Sequence, residues 1–385
     1  MDVHGRTSVH EFLGDFIVYR SLTPVDERLP GLDNLRKQAD VPEGVTPRKG
    51  ELAYARVIVH ILHLARALSS PGLASPIRRL VFVGDTHMND GTAFANIARA
   101  GGWPGLAFIA SETDEPAPPE IIEQDQSALY LAHRWEAIND GNAHPSFEEF
   151  RRQRDFPIDE QTAVIIDLDK TAIGARGRND HVINRARVEA VRRTVGDLLG
   201  DAFDPDAFRA AYDELNKPEY HPFTADNQDY LAYVCLILGS GILQLELLVE
   251  RVRASRMTSF SQFIAEVNQR SVALPASLRE IHDHVHGHVQ AGDPTPFKAF
   301  RHNEYNATVE WMGYLGEDAS TEELLEREIV ITQEVREAAL RWKAEGALLF
   351  GLSDKPDEAS IPTDVLAARG YQSIHRVETH AVGAK

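Results

Sequence analysis

Asp167-Leu168-Asp169-Lys170-Thr171 places two carboxylates and a hydroxyl at alternate positions, directly after the apolar, β-branched run 162–166. Carboxylates this close repel each other unless a cation lies between them or one keeps a proton. The pattern suits a hard divalent metal together with acid–base chemistry. Two further apolar runs end in polar residues of the same kind. Leu80–Val83 leads into Gly84-Asp85, with Asp90-Gly91 shortly after, and Ala347–Leu352 leads into Ser353-Asp354-Lys355-Pro356. Lys49, in Thr46-Pro47-Arg48-Lys49-Gly50, is the candidate cation to offset these acids, with Arg48 as a rival.

Runs of four to six apolar residues read as buried strands, being too short for helices. In an open α/β sheet the ligand site lies outside the carboxyl ends of the strands, which is where these acids fall. Glu51–Leu68 carries Leu52, Ala55, Val59, Leu62 and Ala65 at helical spacing, and Ser69-Ser70-Pro71-Gly72 stops it. Thr92–Ala100 reads as a helix and Gly105–Ala110 as a strand, so residues 80–110 form a strand–helix–strand unit of a parallel sheet. Asp114–Pro119 reads as a connection, Ser127–Ile138 as a helix and Asn139–Pro157 as a polar link. From about Asn184 to Glu345 the helix signal dominates, in segments near 187–199, 203–216, 229–253, 259–269, 277–289 and 321–345. A short helix around Thr363–Ala368 and a strand around Ser373–Val377 close the chain, and Phe16–Tyr19 is the one strand candidate in residues 1–45.

With 385 residues, the chain has room for two domains or for one carrying a large insertion. The formal charge of −19 and the lack of any Lys/Arg block argue against a general nucleic-acid or anionic-membrane binder. A single cysteine, Cys235, rules out an intrachain disulfide and a Cys-rich zinc site. The N-terminus has neither a basic region nor an apolar one, so no secretory signal is expected. Leu231–Val249 is broken by Gly239-Ser240-Gly241 and reads as buried helix, not a membrane span. The expectation is a cytoplasmic protein.

Apolar strand, then Asp-x-Asp-x-Thr, resembles the first motif of the haloacid dehalogenase superfamily. Gly84-Asp85-x4-Asp90 resembles its fourth motif, and the strand ending in Ser353-Asp354-Lys355-Pro356 its second, with Asp354 where Asn is commoner. Lys49, at the start of the helix leading to the Asp85 strand, fits the third. The resemblance implies an α/β, Rossmann-like core, a parallel sheet flanked by helices, with a large all-helical cap inserted after the first motif. The expected divisions are an N-terminal segment 1–45, core 46–180, cap 181–340 and core 341–385. The motif order, third, fourth, first, cap, second, is that of a circular permutation, with the old ends joined through residues 112–160.

Carried over by resemblance, Asp167 is the nucleophile that takes a phosphoryl group and Asp169 the general acid and base. Thr171 orients the loop, Lys49 and Ser353 stabilise phosphoryl charge, and Asp167, Asp169, Asp85 and Asp90 form the Mg²⁺ site. Ser353, Asp354, Arg176 and Arg178 are the substrate-binding candidates, with Arg185 nearby. The implied activity is Mg²⁺-dependent hydrolysis of a small phosphomonoester through an aspartyl-phosphate. Alternatives are a phosphotransferase or phosphonatase of the same superfamily, or an inactive regulatory member. Retention of Asp169 argues against a dehalogenase.

Other readings compete. Asp85-Thr86-His87 contains the Asp-x-His of metallophosphoesterases, but the companion blocks are missing. His282, His284, His286 and His288 fall as two pairs on different helix faces and read as a solvated surface, not a metal site. Trp103, Trp135, Trp311 and Trp342 read as core or interface residues.

Overall fold

The computed structural model describes residues 1–69, 76–141, 145–225 and 227–384. The part of the expected helix stop at Ser70-Pro71-Gly72 lies outside them. The chain folds as two compact units. The first comprises residues 1–184, 308–361 and 367–385, and the second comprises 185–307 and 362–366.

The first unit is α/β. In chain order its strands are β1 (Asp2–Thr7), β2 (Ile17–Val18), β3 (Arg79–Gly84), β4 (Gly105–Ala110), β5 (Glu120–Gln124), β6 (Ser127–Ala132), β7 (Thr162–Asp167), β8 (Ile331–Thr332), β9 (Leu348–Leu352) and β10 (Thr379–Gly383). Seven of them form one sheet in the order β2-β9-β7-β3-β4-β6-β5, parallel except for the β5–β6 pair. All residues of β4, β7 and β9 are buried, as expected of strands covered on both faces. From β3 the chain proceeds to β4 on one side, and from β7 to β9 on the other. The order of connection therefore reverses between β7 and β3, the point at which open α/β sheets hold ligands at the carboxyl ends of their strands.

Several expectations are corrected. Ser127–Ile138 is strand β6 followed by a 3-10 turn at Trp135–Ile138. The stretch 112–160 is not a mere join: it adds β5 and β6 to the sheet and a helix at Phe147–Gln153 opened by a Ser146–Glu149 capping box. Residues 1–45 contribute β1, which pairs antiparallel with β10, and β2 at the edge of the main sheet. Thr321–Glu345 is not continuous; its helices Thr321–Arg327 and Gln333–Ala344 are separated by β8. The final strand is Thr379–Gly383, and Ile374–Arg376 is a 3-10 turn.

Helix Leu52–Ser69 is the one element among the described residues long and apolar enough to cross a membrane. Tyr54, Ile58, Ile61 and Ala65, one face at i, i+4, i+7 and i+11, are buried in the core with Ala55 and Leu62, whereas Leu52 is exposed. The second unit is helical, and its core holds buried charges that neutralise one another. Arg301 pairs with Asp229 and Glu304, and Glu304 also accepts from Arg187 at 3.0 Å. His282, expected on a solvated face, is buried between the Tyr233 hydroxyl and Asn268. Cys235 is a buried thiol.

Candidate active site

Asp167 closes β7 and stands opposite Leu352 of β9, which puts Ser353 one residue further along at the same sheet edge. On the other side, β3 ends at Gly84 and delivers Asp85. Three carboxylates, Asp85, Asp90 and Asp167, converge at this edge, with oxygens within 4.8 Å of one another and all buried.

The loop after β3 shows how Asp90 gets there. One of its oxygens accepts from the backbone N–H groups of Asp85 and Thr86, each at 2.9 Å. Gly84 permits this closure, because a Cβ there would lie 2.6 Å from the Asp90 Cβ. The other oxygen lies 2.6 Å from Lys49 Nζ. Asp90 is thus spent on ordering the loop and holding Lys49.

Lys49 also donates to Asp167, and its ammonium sits 5.6 Å from the centre of the Phe82 ring. Burial pulls the Lys49 pKa down, but Asp167 and Asp90 outweigh it and hold it well above the ordinary lysine value. Arg48, the rival cation, is exposed. Arg176 forms an ion pair with Asp85.

Three buried carboxylates face two cations here. Burial pushes both Asp85 and Asp167 above the usual carboxylate range, reinforced on Asp85 by the charges of Asp167 and Asp90 and opposed on Asp167 by Lys49. On Asp90 burial acts the same way, yet Lys49 overrides it and lowers the pKa. An all-oxygen, hard, over-acidic donor set of this kind could hold a metal ion.

The turn after β7 is tight. Ala172 N–H donates to the Asp167 carbonyl and Ile173 N–H to that of Leu168, with Lys170 in the left-handed region at φ 66°. A non-glycine residue held there costs about 1–2 kcal/mol and marks a backbone fixed by its surroundings. Thr171 is buried; its carbonyl accepts from Thr332, while its own hydroxyl has no hydrogen-bond partner among the described residues. Asp169 is half-buried and lies outside the carboxylate cluster.

Ser353 is buried at the end of β9. Its N–H pairs with the Val18 carbonyl, and its hydroxyl accepts from the Lys355 N–H at 3.1 Å. The Ser353 amide is thus committed to β2, while its hydroxyl acts here only as an acceptor among the described residues. Asp354 is exposed.

Arg178 has a task other than the expected one. Its guanidinium is buried and forked between Glu112 and Glu334, four contacts at 2.8–2.9 Å, so its side chain is structural. Arg185 belongs to the second unit. His87 is exposed, and no second histidine joins the carboxylates among the described residues.

One residue of this neighbourhood escaped the sequence reading. Tyr54 is buried with an unpartnered hydroxyl that feels the charges of Lys49, Asp354, Asp167 and Asp90. Its signal was present: five residues after Lys49, it begins the true apolar face of the helix and is the one member of that face with a polar tip.

Comparison of the chain with protein-family models, with curated proteins and with solved structures gave no match.

Proposed function

We propose that the chain is a phosphomonoester hydrolase that uses Asp167 as nucleophile, in the manner of the haloacid dehalogenase superfamily it resembles. The observation that carries the reading is the Asp167 carboxylate at the sheet's reversal point, hydrogen-bonded by Lys49 and clustered with Asp85. This juxtaposition brings together residues from three separate sequence motifs, and a solvated acidic turn would not require it.

Asp167 attacks phosphorus, forming an O–P bond as the ester P–O bond breaks, and Asp169 supplies the proton to the departing oxygen. Asp169 then takes a proton from water, which attacks the aspartyl-phosphate and releases inorganic phosphate. The half-exposed position of Asp169 supports a role in exchanging protons with water. Lys49 holds the nucleophile in place and offsets charge on the phosphoryl oxygens, and the Ser353 hydroxyl supplies a further donor. Asp85 and Asp167 would hold the divalent cation, with Asp90 ordering the loop; we take the ion to be Mg²⁺, which when bound supplies charge neutralisation of the phosphoryl group. Arg176 is the remaining candidate for contact with the substrate.

The helical second unit, inserted into the chain after the Asp167 turn, is assigned the choice of substrate, a small phosphorylated metabolite in the cytoplasm. The circular permutation is part of the same reading. Its support is the sheet order, which keeps the Asp167 strand between those bearing Ser353 and Asp85.

The test is Mg²⁺-dependent release of phosphate from 4-nitrophenyl phosphate by wild type and Asp167→Asn. Release that requires Mg²⁺ and disappears in the variant is expected. Equal turnover by the two proteins would sink the Asp167 mechanism.

A further inference from the structure

We infer that the Tyr54 hydroxyl is a ligand-binding donor of this site, which holds an oxygen of the bound phosphoryl group. The inference rests on the phosphoryl-transfer reading above.

Tyr54 lies in the first turn of helix Leu52–Ser69 and is 1% exposed, its ring part of the core. Phenylalanine would fill that space without stripping water from a hydroxyl. Buried hydroxyls are almost always hydrogen-bonded, and leaving one unpaired is unfavourable. The Tyr54 hydroxyl nevertheless has no partner among the described residues. It is near enough to Lys49, Asp354, Asp167 and Asp90 to feel their charges. Packing does not account for it, and its position assigns it to the site.

Of the three carboxylates whose charges it feels, Asp354 is exposed to water and the other two already have other donors. Asp90 is held by Lys49 and two backbone amides, and Asp167 by Lys49. Thr171, in the turn that starts at Asp167, carries a second buried hydroxyl without a partner. Two unused donors, one in the turn after Asp167 and one that feels the Asp167 charge, call for a ligand rich in acceptor oxygens, and a phosphoryl group has that chemistry. Burial holds the Tyr54 phenol well above its ordinary pKa, so it keeps its proton to donate.

Tyr54→Phe in the whole chain removes this one oxygen. Two measurements are made: thermal unfolding without ligand, and calorimetric titration with inorganic phosphate in the presence of Mg²⁺. The variant is expected to melt no lower than wild type and to bind phosphate roughly 10- to 100-fold more weakly, the range for one hydrogen bond to a charged group. Equal phosphate affinity would overturn the role of Tyr54 and leave the phosphatase reading standing. A lower melting temperature with equal affinity would show a structural hydroxyl and overturn it too. Absence of phosphate binding by wild type would overturn both.

Discussion

The ammonium of Lys49 donates to the carboxylate of Asp167 across 118 positions of intervening chain. With Asp90 on its other side, one buried cation joins the turn before helix Leu52–Ser69, the loop after β3 and the end of β7. Lys49→Met keeps most of the apolar stem and removes the charge. It would leave two buried acids uncompensated, costing about 3–5 kcal/mol of unfolding free energy. Urea denaturation at neutral pH measures this, and phosphate release should be lost in parallel. An unchanged midpoint would show that the acids do not depend on Lys49.

The charge imbalance among Asp85, Asp90 and Asp167 makes a paired prediction. Asp85→Asn relieves repulsion, so the metal-free variant should melt above metal-free wild type. Mg²⁺ should stabilise wild type by about 2.7 kcal/mol at a hundred times its dissociation constant, raising its melting temperature, and EDTA should reverse the rise. The Asn variant should barely respond. Equal responses in scanning calorimetry would remove Asp85 from the metal site.

Arg178 separates a structural role from a substrate-binding one. Arg178→Met strands Glu112 and Glu334 in a buried setting and should destabilise the protein by about 3–5 kcal/mol. The KM of whatever protein stays folded should hold steady. A raised KM at unchanged stability would restore Arg178 to the substrate.

His375 gives a pH dependence away from the site. It is buried between the Tyr19 hydroxyl at 3.1 Å and Asp15 at 3.2 Å. Burial lowers its pKa to about 4, against the pull of Asp15 in the other direction. The unfolded chain, near the ordinary 6.5, binds the proton first as pH falls. The stability contributed by the neutral ring is therefore complete above about pH 6.5 and lost on descending toward pH 4, on the order of 3 kcal/mol in all. His375→Gln should flatten this part of the stability–pH curve; an unaltered slope would place the proton uptake elsewhere.

Much of the first unit was legible in the chain. Runs such as 162–166 and 348–352 are apolar because both faces of a central parallel strand are covered, so local composition suffices to identify them. Ser127–Ala132 was misread for the complementary reason. Ser-Ala-Leu-Tyr-Leu-Ala is built largely on Ala and Leu, which favour helices, and only its pairing with β4 and β5 makes it a strand. The 321–345 helix signal likewise could not reveal β8, since Ile331-Thr332 extends only where β10 receives it.

By itself the sequence determined which residues end the buried strands, because a carboxylate after an apolar run can only emerge at a sheet's edge. It therefore named Asp167, Asp85, Asp90 and Ser353 as candidates, and it offered Lys49 or Arg48 without deciding between them. Tertiary structure made that choice, bringing Lys49 to Asp167 and leaving Arg48 exposed. It likewise turned Arg178 to Glu112 and Glu334 and Arg176 to Asp85, and it buried the Tyr54 hydroxyl without a partner among the described residues. The partner of a long polar side chain depends on which distant strand ends and loops meet it. Its direction is set by packing across the sheet, about which neighbours in the chain carry no information.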